Sequence, residues 1–330
     1  MPKDGFGREI DYLRISLTDH CNLRCVYCMP MDGLQFVPPA SLLTAAEIEA
    51  VGRAALRVGF RRFRLTGGEP TLRADVVEIV ERLVALGPDE VAMTTNAILL
   101  PRLAHPLANA GLARVNIHLD SLDPERLARV MRLGTLADIE AGIEAAEAAG
   151  LVPIKINCVV ARGLNDEDDV VALAVRARER GWHVRFIETM PLGTGDTAEI
   201  ARTRFVPSRA TRIRIENALG PLTALPTIHL SDESRNFRFA DGAPGVVGFI
   251  SPVSEPYCGT CNRMRLTADG KLHLCLLKDD ERDLRGLLRS GGTSADLERA
   301  LRRAVALKPT GHELNAGRST ETRVMFQIGG

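Results

Sequence analysis

Between residues 11 and 190, short runs of alternating apolar and polar positions are separated by stretches of helical spacing. The strand candidates are residues 11–17, 60–66, 89–95, 113–119, 152–160 and 183–188. Thr44-Ala45-Ala46-Glu47 has the form of a capping box, in which threonine and glutamate side chains satisfy N–H groups at a helix start. The helix it opens is expected to end near Gly59, and residues 137–149 and 168–180 carry further helical spacing. Strand–helix alternation of this kind builds a parallel sheet with right-handed crossovers.

The two faces of these strands differ. Leu13, Ile15 and Leu17 fall on one face, Arg14 and Ser16 on the other. Arg64 and Thr66 share a face, as do Thr94 and Asn96, then Asn116, His118 and Asp120, then Lys155 and Asn157, with Arg185 in the sixth strand. A doubly wound sheet needs two apolar faces, and a complete eight-stranded barrel fills its lumen with apolar side chains. One apolar and one polar face fits an incomplete (β/α)6 barrel of the TIM type, open enough to hold water and a polar ligand. Amphipathic strands facing solvent are the alternative.

After about residue 220 proline and glycine become frequent, with hairpins expected around 235–250 and 263–275 and helices near 281–289 and 294–306. The chain therefore divides into residues 5–220, the partial barrel, and 221–330, a smaller C-terminal region.

Composition changes this picture little. Of 330 residues, 45% are hydrophobic, and 42 basic residues balance 42 acidic ones. Zero net charge and 4% aromatic residues speak against nucleic acid as a partner. No apolar run reaches the roughly 20 residues of a membrane span, and the opening MPKDGFGREI lacks the apolar core of a secretory signal. A cytoplasmic location is expected. Disulfides are then not expected, so the seven cysteines need another account.

Their spacing supplies one. Cys21, Cys25 and Cys28 form C-x3-C-x2-C after the first strand, and Cys258, Cys261 and Cys275 form a second set of three. Thiolates suit iron–sulfur clusters or zinc. On spacing alone zinc stays open for both sets, with His20 available as a fourth ligand at the first. Arg263 and Arg265, between the second set's cysteines, have the fork geometry that binds anions bidentately.

The stretch Cys21-Asn22-Leu23-Arg24-Cys25-Val26-Tyr27-Cys28, with Thr66-Gly67-Gly68-Glu69-Pro70, resembles the signature of the radical S-adenosylmethionine (SAM) superfamily. The chain as a whole is similar to the GTP 3',8-cyclase family of molybdenum-cofactor biosynthesis, through DYLRISLTDHCNLRCVYCMP, RLTGGEPTLR, KINCVVARGLND, RFIETMPLG, CGTCNRMRLTADGKLHLC and the terminal IGG. The resemblance implies two 4Fe–4S clusters, one on Cys21, Cys25 and Cys28 and one, near GTP, on Cys258, Cys261 and Cys275. It places Tyr27, Gly68, His118 and Met190 at SAM-contacting positions, and Arg14, Arg64, Thr94, Lys155, Arg263 and Arg265 at GTP-contacting ones. It gives catalytic roles to Arg263, Arg265 and the terminal Gly329 and Gly330, whose slim tail would reach the active site. Cys158 matches no ligand position and reads as a core cysteine. Two positions depart from the family pattern: His118 stands where serine is common, and Ala97 where glycine is common.

The implied reaction is reductive cleavage of SAM, hydrogen abstraction from ribose C3' of GTP and closure onto guanine C8, giving 3',8-cyclo-7,8-dihydro-GTP. An external electron donor would supply one electron to cleave SAM and a further electron, taken up with a proton, to quench the cyclised radical, and a cyclic pyranopterin monophosphate synthase would take the product. The sequence does not set the oligomeric state, for which a homodimer is one option. The competing readings are a radical SAM peptide maturase with an auxiliary cluster, and a non-catalytic zinc protein.

Overall fold

The computed structural model describes residues 1–226 and 232–329. Twelve strands form one mostly parallel sheet. They are β1 (Tyr12–Ser16), β2 (Arg62–Thr66), β3 (Glu90–Thr95), β4 (Arg114–His118), β5 (Lys155–Val160), β6 (His183–Glu188), β7 (Leu222–Ala224), β8 (Arg235–Phe239), β9 (Val246–Ile250), β10 (Arg263–Leu266), β11 (Lys271–His273) and β12 (Glu281–Asp283). Their order is β12-β11-β10-β1-β2-β3-β4-β5-β6-β9-β8-β7. From β10 through β1–β6 to β9 every pairing is parallel, and the outer strands are antiparallel. Strands from beyond residue 220 thus extend both edges of the sheet that the first six strands begin.

All six expected strands form, each within the expected span. The fifth starts at Lys155 rather than 152, after Pro153, which has no N–H to give the ladder. The expected capping box is present: Glu47 N–H donates to Thr44 Oγ1, Thr44 N–H donates to Glu47 Oε2, and the helix Ala45–Val58 ends at Gly59 with φ 113°. The helix expected at 281–289 is shorter. Glu281–Asp283 pairs with Lys271–His273, and Asp283 caps the helix Leu284–Arg289 by accepting the Gly286 N–H.

Leu13, Ile15, Phe63, Leu65, Val115, Ile117, Ile156 and Phe186, from alternate strand positions, join helix residues such as Ile48, Val51, Ile79, Leu83, Leu107, Ile143 and Leu173 in one buried cluster. Helices therefore cover the apolar face, and the polar face looks elsewhere. Arg14 of β1 lies 2.7 Å from Glu233, two residues before β8. Six strands stand between β1 and β8 in the sheet, so at about 4.8 Å per strand a flat sheet would hold them roughly 34 Å apart. The sheet curls until its ends face one another across the polar interior.

Candidate active site

Inside the curl is a cavity of about 280 Å³, and all six cysteines of the two sets line it. Arg14, Arg64, Thr94, Arg263 and Arg265 line it too, with Tyr27, Gly68, His118 and Met190. A smaller cavity of about 130 Å³ adjoins it through Arg64, Glu233 and Arg263, and Lys155 and Arg185 line its wall. Every expected site residue among those described, Gly329 apart, thus lines one or other of these two cavities. Gly330 lies outside the described residues.

The loop carrying the first three cysteines is set by close backbone packing. Gly68 N–H donates to Thr18 O at 2.7 Å, and a Cβ on Gly68 would lie 2.3 Å from His20 O. Only glycine lets the Gly-Gly-Glu-Pro turn seat against Thr18–His20. Glu69, fully buried, accepts from Thr71 N, Thr71 Oγ1, Thr95 Oγ1 and Asn96 N, tying that turn to the end of β3. Burial holds its carboxyl above the ordinary range despite those donors. Ala97 takes φ 69°, the left-handed conformation glycine favours. The loop keeps that path at a backbone cost of about 1–2 kcal/mol.

None of the six thiols is in a disulfide. Burial pushes Cys21 and Cys25 up to about 11 and Cys28 to about 12. Leu23 N–H approaches Cys21 Sγ at 3.4 Å, and the Phe326 N–H donates to Cys28. Such peptide donors suit thiolates that carry charge on an iron–sulfur cluster. Cys258 and Cys261 differ: burial raises them, but His312 at Cys258 and Lys308 and Arg263 at Cys261 outweigh it, and both thiols are lowered. Among the described residues no three His, Cys, Asp or Glu side chains surround one ion position. A cube binds each thiolate to a different iron, so its ligands need not converge on a point. The soft, all-sulfur, partly buried sets fit that cofactor. Cys158 is fully buried away from the cavity, its thiol near Asp120 O, as expected of a core cysteine.

His118 sits in a network that sequence reasoning left out. Tyr27 donates its hydroxyl proton to Asp120 Oδ2 at 2.5 Å, and His118 Nε2 lies 2.9 Å from Tyr27 Oη and 3.1 Å from Asp120 Oδ2. Asp120 Oδ1 accepts the Val159 N–H and is fixed. Burial opposes charge on His118, yet the buried Asp120 carboxylate holds the imidazole well above its usual range.

The polar interior is strongly cationic. Arg265, Arg14 and Arg64 are register partners on β10, β1 and β2, an arrangement that like-charge repulsion disfavours. Glu233 meets Arg14 at 2.7 Å and Arg263 at 3.2 Å. Burial would raise the Glu233 carboxyl, but the surrounding arginines hold it well below the usual range. Arg185 is depressed to about 9 by burial and Arg64, and Lys155 to about 8 by burial, Arg114 and Arg185. Among the described residues Arg185 has no ion-pair partner, and its buried Nε and Nη2 have no acceptor. In the smaller cavity Arg62, Arg64, Arg114, Arg185, Arg263 and Lys155 outnumber Glu90, Asp232 and Glu233, which leaves the site short of negative charge. Glu233, in a region without periodic pattern, gave no signal in the sequence.

The C-terminal segment closes the cavity. Met325 and Phe326 line it, Ile328 is fully buried, and the Gly329 carbonyl accepts from Arg265 Nη1. Gly329 has φ 91°, with Ser16 and Thr66 packed against its α-carbon.

The chain matches the Radical SAM superfamily over residues 15–175 and Molybdenum Cofactor Synthesis C over residues 182–314. It is 45% identical over 329 residues to the GTP 3',8-cyclase of Moorella thermoacetica, covering 99% of this chain and 100% of that one. To the GTP 3',8-cyclase of Pseudomonas putida (strain W619) it is 44% identical over 330 residues, covering 99% and 97%. Among solved structures, Streptococcus suis SuiB bound to S-adenosylmethionine superposes with a TM-score of 0.61 at 15% identity, over 89% of this chain and 68% of that one, a likeness of fold. Near-complete coverage by such relatives, with both cysteine sets on one cationic cavity, establishes that the chain belongs to the GTP 3',8-cyclase family of the radical SAM superfamily.

Proposed function

We propose that this protein is a radical SAM GTP 3',8-cyclase, carrying out the first step of molybdenum-cofactor synthesis. The observation that carries the reading is the cavity onto which two three-cysteine sets and Arg14, Arg64, Arg263 and Arg265 open together. We further propose that the curled sheet is an incomplete (β/α)6 barrel, with residues 5–220 as the radical SAM core and 221–330 as the region bearing a second 4Fe–4S cluster. Cys21, Cys25 and Cys28 would hold the cluster that, with SAM, supplies a carbon radical able to abstract an unactivated hydrogen. Cys258, Cys261 and Cys275 would hold the second cluster at the substrate end.

The remaining roles belong to the chain's own side chains. Tyr27 and His118 stand beside Cys25 and, with Gly68 and Met190 on the same cavity, would orient SAM, Asp120 fixing the first two. Arg14, Arg64, Lys155 and Arg185 would hold the triphosphate, whose negative charge offsets cations costly to bury alone. Arg263, Arg265 and Thr94 would position the nucleoside, and the tail at Gly329 would brace Arg265 and exclude water. An external one-electron donor and a downstream cyclic pyranopterin monophosphate synthase complete the proposed partners. No helix among the described residues is long and apolar enough to cross a membrane.

The test is anaerobic. Protein reconstituted with iron and sulfide is given SAM and dithionite, and 5'-deoxyadenosine is measured with and without GTP. GTP-dependent formation, with a product that acid converts to a pterin, is expected. SAM cleavage indifferent to GTP would overturn the substrate assignment.

A further inference from the structure

Lys308 is 3% exposed, lies between the main cavity and a surface cleft, and belongs to none of the functions assigned above. A lysine this deep is costly unless its charge is offset. Among the described residues, however, no carboxylate lies within ion-pair distance of it. Its ammonium instead donates to two backbone carbonyls, Arg263 O and Leu274 O, both at 2.7 Å.

Those two carbonyls locate the charge. Arg263 follows Cys261 by two residues, and Leu274 directly precedes Cys275. Lys308 and the three cysteines of the second set line the same cavity. Two of the three ammonium N–H groups are committed to carbonyls, so the side chain is fixed, and one remains for an anion.

We propose that Lys308 is a positioning residue of the auxiliary site: a clamped, buried cation that offsets the negative charge of the Cys258–Cys261–Cys275 cluster and raises its reduction potential relative to a neutral surrounding. The inference rests on the proposed second cluster. A 4Fe–4S core with three thiolates gains one negative charge on one-electron reduction. A fixed cation beside it stabilises the reduced form, because a buried charge is poorly screened. Arg263, whose own carbonyl Lys308 holds, faces the cavity, so the same lysine would couple the auxiliary site to a nucleoside-contacting arginine.

The experiment is a redox titration of the fully reconstituted protein, followed by electron paramagnetic resonance, for wild type, Lys308→Met, Lys308→Gln and Lys308→Arg. Iron content comes first: about four irons in the wild type would refute the second cluster itself, independently of Lys308. With both clusters present, Met and Gln variants are expected to show at least a tenfold lower ratio of reduced to oxidised auxiliary cluster at fixed potential, a shift of about 59 mV for one electron. The Arg variant and the first cluster in every variant should titrate as in the wild type. An auxiliary potential unchanged in the Gln variant overturns the proposal, since the hydrogen bonding and not the charge would then be its role. Auxiliary iron lost in Met and Gln but kept in Arg supports it. Iron lost in all three overturns it in favour of a purely geometric clamp.

Discussion

Replacing Gly329 with alanine tests the tail at its tightest point. A Cβ there would lie 2.9 Å from Thr66 Cγ2 and 3.0 Å from Ser16 Cβ, both on ends of neighbouring central strands. Neither neighbour is the far end of a flexible side chain. Backbone φ is 91°, where an L-residue costs about 1–2 kcal/mol before any clash is counted. At 1.4 kcal/mol per tenfold, the conformational term alone lowers the docked-to-undocked ratio of the last residues about five- to thirtyfold. Phe326 and Ile328, each worth about 1.5–3 kcal/mol of burial, keep the rest of the tail anchored. The change should therefore be confined to the final residues and to the Arg265 contact with the Gly329 carbonyl.

The assay is GTP-dependent 5'-deoxyadenosine formation, alongside iron content and melting temperature. Turnover is expected to fall at least tenfold, with iron content unchanged and melting shifted by no more than a degree or two. Wild-type turnover in Gly329→Ala would refute the reasoning, because the tail could then leave the strand ends without consequence for the chemistry. Loss of iron together with activity would equally refute it, by making the tail a support of the cysteine loop.

Three further outcomes are expected. Glu233→Gln removes a buried carboxylate from Arg14 and should destabilise the ligand-free protein by about 3 kcal/mol; GTP should raise its melting temperature more than that of the wild type, and equal shifts would show that no triphosphate reaches these arginines. Lys155 has its pKa lowered to about 8, so its contribution to ligand-free stability rises with pH between about 8 and the unfolded value near 10.5, while GTP affinity should fall over the same window; titration calorimetry should find Lys155→Met weaker at pH 7 and without that fall. Cys158→Ala should keep the iron content of the wild type, whereas Cys258→Ala should lose about half of it by colorimetric iron assay.

Much of the fold was legible because two periodicities coexist in short segments. In β1, Leu13 and Ile15 went to the helix-covered core while Arg14 went to the cavity, and the same separation held at Phe63 and Arg64 and at Ile156 and Asn157. Local chemistry was equally readable: Thr44 and Glu47 cap a helix whatever lies beyond it. What sequence did not disclose was long-range. Glu233 matters because curling brings it to Arg14, 219 positions away in the chain, and Lys308 because its ammonium reaches the carbonyls of Arg263 and Leu274. Asp120 lay on the polar face, but only the folded loops reveal that it holds Tyr27 and His118 together.

The cationic interior is the feature that ties fold to function. Three arginines in register on adjacent strands repel one another, and burial together with Arg14 lowers Arg265 to about 9. A chain selected for stability alone would replace such a cluster with apolar side chains, which are often neutral or stabilising in place of buried charge. The cluster therefore makes physical sense in a protein whose stable state includes a polyanion, with the Glu233 carboxylate between Arg14 and Arg263 when that anion is absent. On this reasoning the gain in stability on binding should be larger for GTP than for guanosine, and it should shrink in Arg64→Ala, since Arg64 lines both cavities. Equal stabilisation by guanosine would mean that the arginines offset some other charge, and that the phosphate chain lies outside the curl of the sheet.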